Sequence, residues 1–175
     1  MTYIFKVLVL SLLPFILLVS CASENSDQRA TQQVDKDRAP NFQVTTIDGE
    51  TVSLQESLAN DKPMVVYFTA SWCPTCAKNW PVLSVLYPEY KERLSLVSIS
   101  IDPTDTKEVM RQLAETHDFT FPTTAGNPQI MLDFGVESQA TTVGVNREGH
   151  IEFKRSNVAL SEEEYRELFD RLINS

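Results

Sequence analysis

Met64-Val65-Val66-Tyr67-Phe68, followed at once by Trp72-Cys73-Pro74-Thr75-Cys76, is the stretch that decides the fold. Its first five residues are β-branched, aromatic or otherwise apolar, the pattern of a short strand buried on both faces. Beyond the cysteines, Leu83, Leu86, Tyr87 and Tyr90 recur at helical spacing. A Cys-x-x-Cys pair therefore stands where a buried strand hands over to a helix. At that point the first backbone N–H groups have no helical partner and the helix dipole favours an anion. A thiolate is such an anion, and it is the form that attacks disulfides. Lowering a thiol pKa from about 8.5 to about 7 raises its thiolate fraction at neutral pH from a few per cent to roughly half. Cys76, one turn further in, can close a disulfide with Cys73 and release a mixed-disulfide partner. Redox chemistry is the first reading, and two others stay open beside it. Half of a zinc site needs two more ligands, and Cys21, His117 and His150 do not pair at a ligand interval. A purely structural disulfide would constrain little chain, because the loop it closes is so short.

The same residues carry a family resemblance. Val65–Cys76, VVYFTASWCPTC, resembles the active-site strand and helix start of thioredoxin-fold proteins. Ala39–Leu54, APNFQVTTIDGETVSL, resembles the N-terminal hairpin of extracytoplasmic TlpA/ResA-type thiol–disulfide oxidoreductases and the wider redoxin (AhpC/TSA-like) group. Phe134–Ile151, FGVESQATTVGVNREGHI, is similar to that family's late hairpin. The resemblance implies a thioredoxin-like α/β fold: a central mixed sheet, helices on both faces and an N-terminal β-hairpin. It also implies exchange with protein disulfides, with reduction the expected direction. Cys73 would attack and Cys76 resolve, while Trp72, Pro74, Thr75 and the Gln139–Ala140 backbone shape the docking surface. The redox-active Cys73–Cys76 disulfide would serve in place of any cofactor, and no metal is expected. Protein thiol and disulfide clients, a membrane electron donor and a monomeric state complete the expectation.

Three positions depart from the family. Its substrate-facing cis-proline aligns with Ala140, in Gln139-Ala140-Thr141-Thr142. Phe121-Pro122-Thr123-Thr124 imitates the proline signature but precedes the helix opened by Asn127, so Pro122 is not expected to face the cysteines. A cis Gln139–Ala140 bond would cost about 3–4 kcal/mol against roughly 0.5–1 for proline. A trans bond with a shifted loop is the plainer expectation, and altered client docking the sharper one. Tyr67 stands where thioredoxins bury an acid, and Asn79 where many TlpA/ResA-type sequences carry Glu. Proton handling for Cys76 is then assigned to solvent or to Asp102. Two alternative functions are weaker. A thiol peroxidase of the redoxin group would carry Thr three places before the cysteine, where this chain has Ala70. A copper-binding chaperone would use Cys73, Cys76 and a histidine, since soft thiolates suit Cu(I).

Upstream, Lys6 and the apolar run Val7–Val19, broken only by Ser11 and Pro14, form a targeting segment. Such a run is too short to span roughly 30 Å of hydrocarbon comfortably. Leu18-Val19-Ser20-Cys21 resembles a bacterial lipobox, which makes residues 1–20 a lipoprotein signal peptide and Cys21 the lipidated residue. Two or more acyl chains give stable anchoring where one is marginal. Ala22 and Ser23 follow, as in lipoproteins sorted to an outer membrane facing the periplasm. Residues 21–38 hold one large aliphatic residue after the cysteine, Val34, and read as a flexible tether. The domain is expected over 39–175. Three cysteines then divide into one anchor and one pair, and export explains how a disulfide persists. With 15 Lys and Arg against 24 Asp and Glu, the net charge of −9 repels phosphate, so nucleic acid is excluded as a partner.

The rest of the chain reads as alternating strands and helices. Asp48-Gly49 marks a hairpin turn between Asn41–Val44 and Thr51–Leu54. Pro81 is expected to kink the helix after Cys76, and Pro88 to end or bend it. Leu94–Ile101 is a strand, and Asp105 with Glu108 reads as the N-cap of the next helix. His117 falls near that helix's end as a packed residue. Asn127-Pro128 opens a short helix that Gly135 closes. Thr141–Val145 and Ile151–Lys154 form a hairpin, with His150 solvated beside its turn. Ser161 and Glu164 make a capping box for a terminal helix with Tyr165, Leu168, Phe169 and Leu172 inward.

Overall fold

The structure, a computed structural model, describes residues 37–175. The expected signal peptide, the expected lipidation at Cys21 and most of the expected tether lie outside the described residues. Pairing begins slightly before the expected boundary at Ala39. The Ile151 N–H donates to the Asp37 carbonyl at 2.6 Å, and Arg38 bridges His150. His150 is consequently half-buried rather than simply solvated, with Nδ1 3.5 Å from the Glu148 carboxylate.

Strands β1 (Gln43–Thr45) and β2 (Thr51–Ser53) form the antiparallel hairpin, turning at Gly49 with φ +92°. The second strand ends one residue early because Ser53 caps a helix that the residue pattern did not reveal, α1 (Leu54–Ala59). Its hydroxyl accepts from the Glu56 N–H, so Leu54 is helical. The chain continues as β3 (Met64–Thr69), α2 (Cys76–Tyr90), β4 (Ser95–Ser100), α3 (Lys107–Thr116), β5 (Thr123–Gly126), α4 (Pro128–Asp133), β6 (Thr141–Val145), β7 (Ile151–Arg155) and α5 (Glu162–Asn174). Strands β3 to β7 make one mixed sheet in the order β5-β4-β3-β6-β7. The β3–β4 and β4–β5 pairs are parallel, whereas β6 runs antiparallel to β3 and β7 to β6.

Every residue of β3 is buried, as a central strand covered on both faces must be. Val65 and Tyr67 point to a core completed by Trp80, Leu83 and Leu86 of α2 and by Tyr165, Leu168, Phe169 and Leu172 of α5. Val66 and Phe68 point the other way, towards Phe42, Val44, Leu54, Ile130 and Phe134. The two cores separate along the strand because alternate side chains leave opposite faces. Helix α2 passes through both Pro81 and Pro88 without ending, so Pro88 does not terminate it. Helix α3 is capped by Thr106, whose side chain accepts from the Val109 N–H. Asp105, expected as that cap, is instead buried. Helix α5 has the full capping box between Ser161 and Glu164. Among the described residues no helix is long and apolar enough to cross a membrane.

Candidate active site

Three loops meet at the carboxyl end of β3. The first leaves β3 itself and carries residues 70–75 into α2. The second leaves β4, held beside β3 by the Ile101 N–H donating to the Thr69 carbonyl at 2.9 Å. The third enters β6, whose Thr141 pairs with Phe68, so Ala140 stands at the mouth of the motif loop.

Cys73 and Cys76 are joined by a disulfide with their Cα atoms 5.2 Å apart. The Ala77 N–H donates to the Cys73 carbonyl at 3.1 Å, in a turn that leads directly into α2. Pro74 and Thr75 form that turn, with Thr75 at the amino cap of α2 and no side-chain capping bond. The Cys76 N–H points at the Cys73 sulfur at 3.0 Å. That sulfur therefore takes the place a capping oxygen holds in other helices, receiving a backbone donor that the helix cannot satisfy. Once reduced, a Cys73 thiolate would gain both this bond and the helix dipole. Both cysteines are buried, whereas Trp72 beside them is 57% exposed. Pro74 is exposed, and Thr75 and Gln139 are intermediate.

The exposed indole is held in place. Trp72 Nε1 donates to Asp102 Oδ2 at 2.6 Å, and the Thr104 N–H and hydroxyl donate to Asp102 Oδ1 at 2.8 and 2.7 Å. The Thr104 bonds first, then the Trp72 bond, hold the Asp102 carboxyl below the usual carboxylate range. A carboxylate so engaged orients the Trp72 indole at the mouth of the pair.

Asp105 is the acid that the residue pattern concealed. It accepts from the Ser71 N–H at 2.9 Å and the Ser71 hydroxyl at 2.6 Å, and also from the Ser100 hydroxyl. It thus ties the motif loop to the end of β4. Asp105 and Thr106 compete for one helix start, and Thr106 takes it. A second acid directly before a working cap was the signal available in the sequence.

Beneath the disulfide the polar groups are uncharged. Trp80 Nε1 donates to Thr69 Oγ1 at 3.0 Å. Asn79 Nδ2 donates to the Tyr67 hydroxyl at 3.1 Å, and burial pushes the Tyr67 phenol well above its ordinary pKa. His117 ends α3 with its ring 4.9 Å from the Trp80 ring and 6.3 Å from Phe119. Pro122 precedes β5, an edge strand separated from β3 by β4, and so lies away from Ala140. Ala140 itself is buried with φ +53°.

Comparison with known proteins agrees with this geometry. Residues 36–154 match the AhpC/TSA family. The thioredoxin-like protein YneN of Bacillus subtilis (strain 168) is 33% identical over 116 residues, covering 66% of this chain and 67% of that protein. The thiol–disulfide oxidoreductase ResA of Bacillus cereus (strain ATCC 10987 / NRS 248) is 26% identical over 165 residues, covering 93% of each. In fold, a thiol:disulfide interchange protein of Chlorobium tepidum TLS superposes with a TM-score of 0.68 at 19% identity, covering 78% of this chain and 96% of its own. The chain belongs to the AhpC/TSA family, as a thioredoxin-fold oxidoreductase of the TlpA/ResA type.

Proposed function

We propose that the chain is an extracytoplasmic thiol–disulfide oxidoreductase that reduces protein disulfides. The observation that carries this reading is the Cys76 N–H aimed at the Cys73 sulfur where α2 begins. In the reduced domain the Cys73 thiolate attacks one sulfur of a client disulfide. A bond forms between Cys73 and that sulfur, and the client's other sulfur leaves as a thiolate that takes a proton from solvent. The Cys76 thiolate then attacks Cys73, the Cys73–Cys76 disulfide closes, and the second client sulfur leaves. The client gains two electrons and the domain loses two. A dithiol donor at the membrane restores the reduced pair by the same steps in reverse.

Trp72, Pro74, Thr75 and the Gln139–Ala140 backbone form the docking surface, and Asp102 holds the indole ready. The lipobox-like Leu18–Cys21 supports lipid anchoring through Cys21, on the periplasmic side of an outer membrane where the host has two membranes. The domain acts as a monomer. Cys76→Ser tests the chemistry: with no resolving thiol, clients should accumulate on Cys73 as mixed disulfides that a reductant releases. A Cys76→Ser protein that traps nothing, while Cys73→Ser is equally silent, would refute the reading. Cys21→Ser tests the anchor and should move the protein from the membrane fraction to the soluble one.

A further inference from the structure

Asn79 lies three residues after Cys76, on the same side of α2 one turn further along. It is fully buried, and every one of its bonds has a direction. Nδ2 donates to the Val158 carbonyl at 2.9 Å and to the Tyr67 hydroxyl, while Oδ1 accepts from the Leu160 N–H at 2.9 Å. The backbone partners fix the amide orientation, because a carbonyl can only accept and an N–H can only donate.

The residue that Asn79 grips has a second engagement. The Val158 N–H donates to the Ala140 carbonyl at 3.1 Å, and the Asn157 N–H reaches Thr141 Oγ1 at 3.4 Å. Asn79, Val158 and Ala140 thus form a continuous line from the helix of the resolving cysteine to the loop at the mouth of the pair. Ala140 needs such support. A non-glycine residue with φ near +53° is disfavoured and persists only where its surroundings hold it.

We propose that Asn79 is a positioning residue for the exchange reaction, holding the Ala140 loop through the backbone of Val158 in the form a polypeptide client docks against. The proposal rests on the functional reading above and extends it to client selection. On the docking surface proposed above, a protein disulfide lays its backbone along residues 139–140 as its sulfur reaches Cys73. A small disulfide needs only the sulfur to arrive, so the two substrate classes should depend unequally on Asn79.

The test compares Asn79→Ala and Asn79→Ser with the wild-type chain, using insulin as the protein disulfide and bis(hydroxyethyl) disulfide as the small one. The expected result is a loss of about tenfold in kcat/KM for insulin, the scale of one lost buried hydrogen bond, carried mainly by KM. The small disulfide should change by less than about twofold. Both rates come from one preparation, so their ratio cancels any loss of folded protein and a weakened variant still reports. Rates that fall together, or an insulin rate within about twofold of wild type, would overturn the proposal. A wild-type chain that reduced neither substrate would overturn the functional reading, and this inference with it.

Discussion

Ala140 shows how one backbone angle limits what a position accepts. Proline holds φ near −65°, far from the +53° seen here, so the family's residue cannot be restored without rebuilding the loop. Ala140→Pro should destabilise the domain by about 2 kcal/mol or more, read from the urea midpoint. Ala140→Gly should fall between neutral and about 1 kcal/mol stabilising, since glycine adopts this region freely. Asp102 makes a second residue-scale case. Its carboxyl is depressed below the ordinary 3.8 by Thr104 and then Trp72, so the ionised form is the one the folded site favours. The Trp72 tether is complete above about pH 4 and is lost as pH falls through the lowered value. Trp72 emission, isolated by subtracting a Trp72→Phe spectrum, should stay constant from pH 8 to about 4 and change only below. Asp102→Asn should remove that acid transition and slow insulin reduction severalfold. An unmoved transition in Asp102→Asn would separate Asp102 from Trp72.

Among the elements, those with a strong local signal were legible and those decided by competition were not. Strand β3, the β1–β2 turn at Gly49, the Asn127-Pro128 helix start and the Ser161–Glu164 capping box all follow from residue type and spacing. The cysteine pair at the amino end of α2 was equally plain. Helix α1 was hidden because Thr51–Leu54 alternates like a strand until the Ser53 hydroxyl takes the Glu56 N–H. Asp105 was misread because either it or Thr106 can cap α3, and only contacts with Ser71 and Ser100, distant in sequence, decide between them. Gly126, at the end of β5, gives an element-scale prediction. A Cβ there would overlap the Asp102 backbone carbonyl, an atom that cannot turn aside. Gly126→Ala should cost about 1–3 kcal/mol and push the β4–α3 loop outward. Urea titration reads the first effect and a changed Trp72 emission the second.

On the scale of the whole molecule, polarity around the cysteine pair is segregated. Charge and exposure lie at the mouth, with Trp72 and Asp102. Among the described residues Asp105 is the one buried carboxylate, and its oxygens are engaged by Ser71 and Ser100 at the motif loop rather than beneath the sulfurs. The interior below the disulfide offers the Tyr67 phenol, the Thr69 hydroxyl, the Asn79 amide and the Trp80 indole. None of these exchanges a proton near neutrality. Reduction of the pair therefore takes up two protons with no titrating group among these four side chains to supply them. The midpoint potential should then fall linearly by about 59 mV per pH unit, the two-proton slope for a two-electron couple, until the thiols themselves begin to ionise. A redox titration at several acidities would show whether this uncharged interior leaves the voltage of the couple to the solvent.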